Sequence, residues 1–527
     1  MNKIQNQNSS DNNKHEFSLS KSLCFLLVIF TAAIIIRLYY LPFDLPLLFD
    51  AQHYFWYAND MNILKELPAH YGSHNNLWSS FLSLFFSINF SNNILDYMNI
   101  QRILSTTISA LTVFPIFFLC KKFFSNKYSL IGSLLFILDP RLVINSLLGI
   151  TEPLYFLIAT LIILFSLSTS KNFYYISFGL AAILSLIRYE GLLILIPLSI
   201  IYFWKFKINK KSILTYGLCI LIFILVLFPM IEARINATGH DGIISHILDG
   251  PKIISQTIAG HEIGNDRVDI KNSLINSISF IAWITIPIWI IFLPYGIIKY
   301  FRKSDQNKSI LLLFSVILVL PALYAYSRDF HETRYLYILF PLFSIISLYS
   351  IQKVYEIKNS KIIFVLIIFG IIFLSIGWLE YSLIDREYEQ EAFILSLKIK
   401  EITTGINEFY PESAYFQFVN LNEKFPILKN QITNEHNIIL ISQYNEIEEL
   451  LLNEKSNGLT HIVIDESQIS NNLRQEFLIE IYKNENNYTF LKKIYDSSDD
   501  GFNYKLKVFE INYDLFDKHL KIINDFN

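Results

Sequence analysis

The chain has 527 residues, 53% of them hydrophobic and 17% charged, with a mean hydropathy of +0.38. That balance excludes a disordered chain and points to a polytopic membrane protein. The net charge of −3 carries no signal of a nucleic-acid partner, and the three cysteines (Cys24, Cys120 and Cys219) lie in apolar runs with no metal or disulfide spacing.

Residues 1–20 are polar and read as a disordered tail. Residues 22–41 form a first span. It is not a cleavable signal, because the apolar run continues into Arg37 and Tyr39. A long loop follows, at about 42–101, too long for a plain connector. It opens on Leu48-Phe-Asp50-Ala-Gln-His53-Tyr54-Phe-Trp56-Tyr57-Ala-Asn-Asp60. On a helix, Asp50, His53, Tyr54 and Tyr57 share one face, with Phe55, Trp56 and Asn59 opposite. An acid at a membrane surface, backed by hydrogen-bonding aromatics, is a candidate catalytic or metal-binding carboxylate. The alternative is an interfacial aromatic belt with a chance acid. Residues 78–90 are amphipathic and read as an interfacial segment.

Further apolar runs fall at about 103–120, 128–147, 152–168, 173–187, 191–204, 213–231, 277–298, 309–326, 335–351 and 362–380. The expected architecture is thus mainly α, with about eleven transmembrane helices. One set of connecting loops is rich in lysine: Lys121, Lys122 and Lys127; Lys171; Lys205, Lys207, Lys210 and Lys211; Lys299, Arg302, Lys303 and Lys308; Lys353, Lys358 and Lys361. The positive-inside rule assigns these loops, and the N-terminus, to the cytoplasm.

The opposite loops then face outward, the second long one at about 232–275, and their chemistry differs. They hold Asp139-Pro-Arg141, Thr151-Glu152-Pro153, Arg188-Tyr189-Glu190-Gly191, Glu232-Ala-Arg234 and Arg328-Asp329-Phe-His331-Glu332-Thr-Arg334-Tyr335. Charges at the hydrocarbon edge are costly unless paired or functional. Arginine grips phosphate oxygens with two parallel hydrogen bonds. The pattern implies an outward polar cavity with acids and phosphate-binding arginines; structural Arg–Glu pairing and snorkelling are the alternatives.

Past Glu380 the composition becomes that of a soluble domain, and residues 381–527 read as a small extracytoplasmic α/β domain. Helices are expected at 387–401, near 444–454 and at 472–483, and strands at 437–442, 461–465, 491–495 and 504–511. Asp465-Glu466 closes a strand and is a further candidate, though acids at strand ends are common.

The outward motifs, in this order, resemble the polyprenyl-phosphate-sugar-dependent glycosyltransferases of the GT-C membrane fold, in their protein-mannosyltransferase and aminoarabinose-transferase branch. Phe49-Asp50-Ala with Tyr54 and Tyr57 resembles that family's first outer-loop acid. Thr151-Glu152-Pro153, Arg188-Tyr189-Glu190-Gly191 and His331-Glu332-Thr333-Arg334-Tyr335 resemble its later turns. Two features depart from relatives. All six tryptophans precede residue 381, unlike the tryptophan-rich soluble motif of oligosaccharyltransferases, and Asp50 is followed by Ala where eukaryotic-type mannosyltransferases carry Asp-Glu.

The resemblance implies transfer of a sugar from a polyprenyl-phosphate donor to a protein, lipid or glycan acceptor at the outer face of the bilayer. It implies Asp50 as general base or acceptor-orienting group, and Arg188 and Arg334, with Arg141 or Arg234, as phosphate ligands. Glu152 and Tyr54 are expected to fix hydroxyls, with His53, Tyr57, Glu190, His331 and Tyr335 as further binding residues. Asp50 and Glu152 are also a candidate oxygen-ligand pair for Mg²⁺ or Mn²⁺. A secondary transporter or an outer-face receptor are the rival readings.

Overall fold

The structure is a computed structural model. It describes residues 18–69, 71, 76–89, 91–242, 270–303, 305–328, 330–358, 361–403, 406–409, 425–429, 444, 446–465 and 476–526. The chain divides into two compact units. Unit one takes Met1–Leu41, Leu64–Asn89 and Asn99–Tyr381; unit two takes Pro42–Ile63, Phe90–Met98 and Ser382–Asn527.

Unit one is a bundle of apolar helices. Among the described residues, seven helices are long and apolar enough to cross a membrane, or nine if each of two bent pairs is one span. Two shorter apolar helices, Glu152–Ser166 and Asn172–Ile187, stand beside them. The runs read from the sequence map onto these elements one by one. A helix that is apolar all round satisfies its own backbone and needs no water, which makes it stable in lipid. The protein is a multi-pass membrane protein. Glu152–Ser166 packs on Val113–Cys120 and on Asn172–Ile187, which in turn packs on Lys210–Thr238. Trp289–Phe301 packs on Phe340–Lys358 at Gly296, where a Cβ would run into the Ile346 carbonyl.

The two bent pairs are held by a polar seam. The first, Asn126–Ile137 with Pro140–Leu147, bends by 50°; the second, Ser273–Ile284 with Trp289–Phe301, bends by 112°. A bend frees backbone carbonyls, and in an apolar setting each needs a donor. Arg37, fully buried, donates to Ile137 O at 3.1 Å, Ala33 O at 3.2 Å and Ser109 Oγ at 3.2 Å. Ser375 Oγ donates to Leu138 O at 2.5 Å. Asp139 accepts from the backbone N–H groups of Arg141 and Leu142, capping the second half of the first pair, and from Trp289 Nε1 at 2.7 Å. Arg141 donates to Trp283 O at 2.9 Å and to Ile286 O, with its guanidinium 4.7 Å from the Trp378 ring centre.

Unit two contains a four-stranded sheet in the order β1-β2-β4-β3, with β1 Ile406–Phe409, β2 Leu459–Asp465, β3 Leu491–Asp496 and β4 Leu506–Ile511. β1 and β2 are parallel, and the other pairs are antiparallel. Helices Ile447–Glu454 and Glu476–Lys483 bury their apolar faces with β2, β4 and Phe516 of the terminal helix Tyr513–Phe526. The expected strand at 437–442 lies outside the described residues. The expected helix at 387–401 is part of one 42-residue helix, Lys361–Ile402, continuous with the last span. Ala392, Leu395 and Ile399 of that helix pack with Val463, Leu506 and Val508, and Glu391 accepts from the backbone N–H groups of Asn503 at 2.7 Å and Tyr504 at 2.8 Å. Asp465 is buried and accepts from the Tyr504 hydroxyl, a packing role within the sheet; Glu466 lies outside the described residues.

Candidate functional site

Three of the sequence motifs meet at one end of the unit-one bundle. Glu152 is the first residue of Glu152–Ser166, followed by Pro153, a pairing that suits a helix start. Arg188 follows Asn172–Ile187 in extended backbone (φ −149°, ψ 132°), and a 3₁₀ turn, Tyr189–Ile194, leads into the next helix. Arg334 comes from the same kind of joint: Glu332 is extended, and the 3₁₀ turn Thr333–Leu339 runs into Phe340–Lys358. Each arginine therefore leaves the chain where a helix has just been interrupted, with its side chain at the bundle end.

Glu152 is the hub. Its Oε1 lies 2.8 Å from Arg188 Nη1 and 3.7 Å from Arg334 Nε, while Oε2 accepts from the Thr151 hydroxyl at 3.3 Å. Arg188 also donates to Glu190 Oε1 at 3.0 Å, and Arg334 Nε is 3.6 Å from Glu332 Oε2. The Tyr335 ring sits 5.5 Å from the Arg188 guanidinium and 5.9 Å from that of Arg334. These groups line a narrow cleft, with about 30 Å³ of free space, whose apolar wall includes Tyr155, Phe156 and Pro321. Glu190 Oε2 is buried with no hydrogen-bond partner among the described residues. A buried carboxylate oxygen in that state is an acceptor looking for a donor.

Gly191 fixes the turn that presents Arg188 and Glu190. A Cβ there would lie 2.6 Å from the carbonyl carbon and oxygen of Leu184, so only glycine lets the chain double back so closely. Gly191→Ala is expected to cost about 1–3 kcal/mol and to loosen Arg188. The check is a lowered thermal midpoint; an unchanged midpoint would show that the turn relaxes freely.

The other expected residues are placed elsewhere. Arg141 gives its guanidinium to the carbonyls of the polar seam and does not line the cleft. Arg234 is buried at the far part of Lys210–Thr238 and donates to Asn76 Oδ1 at 2.9 Å, packed against Gly242. His331 is exposed, with Nε2 3.3 Å from Asn276 Nδ2 and its ring beside Phe280. Glu332 and Tyr155 were not singled out as site residues; Glu332 stands two residues before Arg334, and Tyr155 one helical turn after Glu152.

Asp50, His53, Tyr54 and Tyr57 belong to unit two, on the helix Phe49–Leu64. They do not form one wet face. Tyr54 and Tyr57 are buried, and so are Phe55, Trp56 and Asn59 on the other side, leaving Asp50 exposed in the first turn. Phe425 stacks on Phe55, and Asn59 Nδ2 and Asp60 Oδ1 bind the backbone of Ile427 and Lys429 at 2.8 and 3.1 Å. The aromatics thus build the core that holds the helix. Burial, with a smaller contribution from Lys429 and against the pull of Asp50, lowers the His53 pKa below the ordinary histidine value. His461 is lowered for the same first reason, burial.

The sign follows from proton uptake. Both imidazoles take up a proton less readily folded than unfolded, so their contribution to stability is complete above about pH 6.5 and is lost as pH falls below it. His53→Gln is expected to flatten the fall in thermal midpoint between neutral and mildly acid pH. An unaltered slope would contradict the assignment.

Among the described residues no group of three or more His, Cys, Asp or Glu side chains converges as a metal cage. Glu152, held by two guanidiniums and a hydroxyl, has a donor set that does not fit Mg²⁺ or Mn²⁺.

No protein-family model matches the chain, and no curated protein matches it in sequence. Solved structures do match in fold. The crystal structure of ArnT from Cupriavidus metallidurans bound to undecaprenyl phosphate aligns over 94% of this chain and 98% of its own, with TM-score 0.54 and 8% identity. The archaeal oligosaccharyltransferase AglB from Archaeoglobus fulgidus, in complex with an inhibitory peptide and a dolichol phosphate, aligns over 88% of this chain and 72% of its own, with TM-score 0.53 and 11% identity. The A. fulgidus oligosaccharyltransferase in complex with Zn and sulfate aligns over 83% and 68%, with TM-score 0.51 and 9% identity. At such identities the likeness is one of fold alone, the GT-C membrane fold.

Proposed function

We propose that the protein is a membrane glycosyltransferase that moves a sugar from a polyprenyl-phosphate carrier to a protein, lipid or glycan acceptor on the outer face of the membrane, with the N-terminus cytoplasmic and residues 381–527 outside. The observation that carries the reading is the convergence of Arg188 and Arg334 on Glu152 beside Tyr335, in a cleft at one end of an apolar bundle. Two guanidiniums fixed about one carboxylate are preorganised donors, and such donors are most effective where charge develops in a transition state. In glycosyl transfer from a lipid phosphate that charge grows on the departing phosphate.

Bond by bond, the acceptor oxygen attacks the anomeric carbon as the bond from that carbon to the phosphate oxygen breaks. The acceptor proton goes to a base, and the phosphate leaves on its lipid as an anion. Asp50 is the residue proposed to take that proton, on its resemblance to the family's first outer-loop acid and on its exposure at the head of a helix whose middle, Tyr54 to Asp60, is buried. Arg188 and Arg334 hold the phosphate. Glu190 Oε2, buried and in need of a donor, is assigned to a sugar hydroxyl. Glu152 is committed to the arginines, so no step is routed through a divalent cation there.

The carboxylates lining the cleft offset the two arginines, which favours a second reading: an ion-pair lock that braces the helix ends, with no ligand. One assay separates the two. Purified protein in nanodiscs receives polyprenyl-phosphate-linked radiolabelled sugars, hexose and pentose in turn, with total membrane acceptor. Transfer from one of them is expected; no transfer and no donor binding would leave only the structural lock.

A further inference from the structure

The helices that carry the cleft have a second cavity at their other end. It measures about 460 Å³ and is lined chiefly by Phe118, Lys121, Lys122, Leu164, Phe165 and Phe173. Lys121 and Lys122 directly follow Val113–Cys120, Leu164 and Phe165 close Glu152–Ser166, and Phe173 opens Asn172–Ile187. Glu152 and Arg188 are at the opposite termini of those last two helices, so the cavity is remote from the cleft.

Its charge is one-sided. No carboxylate lines it, and neither Lys121 nor Lys122 has an ion-pair or hydrogen-bond partner for its ammonium group among the described residues. The neighbouring cations are otherwise engaged. Lys205 Nζ donates to Ser166 O at 2.8 Å and Ser168 O at 3.0 Å, capping a helix end, and Lys171 Nζ lies 3.4 Å from Ser212 Oγ. Lys122 is also close enough to Lys205 to repel it. Like charges gathered without an acid are stabilised by an anion.

The walls say what kind of anion. Phe118 and Phe173 are more than a third exposed and, with Leu164 and Phe165, make the apolar part of the lining that Lys121 and Lys122 share. Inorganic phosphate gains nothing from such a wall. An amphiphile gains from both parts: its phosphate meets cations at the level where a span ends, and its chain runs down the aromatics. We propose that this cavity is a docking site for an acidic phospholipid, with the headgroup phosphate between Lys121 and Lys122 and one acyl chain along Phe118 and Phe173. The site is independent of the transferase reading.

The test is native mass spectrometry of the full-length protein, released from detergent with equal amounts of phosphatidylglycerol and phosphatidylcholine. Retention of phosphatidylglycerol over phosphatidylcholine is expected. Each of Lys121→Gln and Lys122→Gln should weaken it about fivefold, Lys121→Arg should keep it, and Phe118→Ala should weaken it without changing the response to salt. Lys210→Gln with Lys211→Gln removes the same charge from the neighbouring helix start and should have no effect. Equal retention of the two lipids by the unmodified protein overturns the proposal, as does an equal loss in the Lys210/Lys211 variant, which would make the attraction a general one. Complete displacement by millimolar inorganic phosphate would assign the cavity to the free ion and overturn the lipid.

Discussion

Arg188→Ala is expected to lower sugar transfer by about 100-fold or more, the usual loss when one preorganised donor is removed from a developing anion. The variant removes the shortest contact to Glu152, at 2.8 Å, and one cation beside Tyr335. It also leaves a carboxylate that is 4% exposed with Arg334, at 3.7 Å, as its remaining cation. Breaking a buried pair outright costs about 3–5 kcal/mol; the second guanidinium keeps the loss below that. Arg188→Lys separates the two consequences. A lysine restores a charge near Glu152 and much of the thermal midpoint, but it is a point charge with no planar fork for two phosphate oxygens. Transfer rate and unfolding midpoint, measured on both variants, should therefore part company in the lysine protein. If Arg188→Lys transfers sugar at the unmodified rate, the arginine is only a brace.

Asp50→Asn is expected to reduce transfer by about 10²–10⁴-fold, the contribution of a positioned general base, while the protein stays folded and binds donor lipid as before. The reason for the unchanged fold is its location. Asp50 is exposed in the first turn of Phe49–Leu64, and the residues that hold that helix are Tyr54, Phe55, Trp56, Tyr57 and Asn59. Removing one acid from a helix start costs about 0.3–1 kcal/mol through the helix dipole, and asparagine remains compatible with that position. Initial rates with saturating donor, together with donor binding measured separately, decide the matter. Full activity in the asparagine protein would return Asp50 to the reading of a chance acid beside an aromatic belt.

The spans were legible because lipid demands long apolar helices and little else in a sequence imitates them. The convergence of Thr151-Glu152-Pro153, Arg188-Tyr189-Glu190-Gly191 and Arg334-Tyr335 was legible only as a shared face, since nothing in the chain states which helix ends are neighbours. Arg141 shows where that logic stops. Its charge type and position match those of Arg188, yet the bend at Ile284 to Trp289 exposes carbonyls that claim it, and a bend between two apolar stretches leaves no charge pattern to read. In the same way Tyr54 and Tyr57 fit a polar face by spacing, but both are buried, and the aromatics between them, Phe55 and Trp56, pack on Phe425, which lies far along the chain. β1 escaped because Ile406-Asn-Glu-Phe409 is short and half polar; it is a strand by virtue of pairing with β2. The terminal helix Tyr513–Phe526 has apolar residues at helical spacing, but its charged face hid them in a composition-led reading.

The length of Glu152–Ser166 has a consequence of its own. Its 15 residues reach about 22 Å, against a hydrocarbon layer of about 30 Å. Both ends of this helix cannot lie at the level of the lipid headgroups, and the lysines beyond its C-terminal end, on long flexible stems, are the side chains able to make up the distance there. Glu152 is buried and its two arginines are largely so, in a recess where mobile counter-ions do not readily follow. Ion pairs in such a recess are screened far less than surface pairs. The chemistry of the cleft should accordingly be nearly indifferent to ionic strength, while lipid attraction at the lysine-rich end should weaken steadily as salt is added.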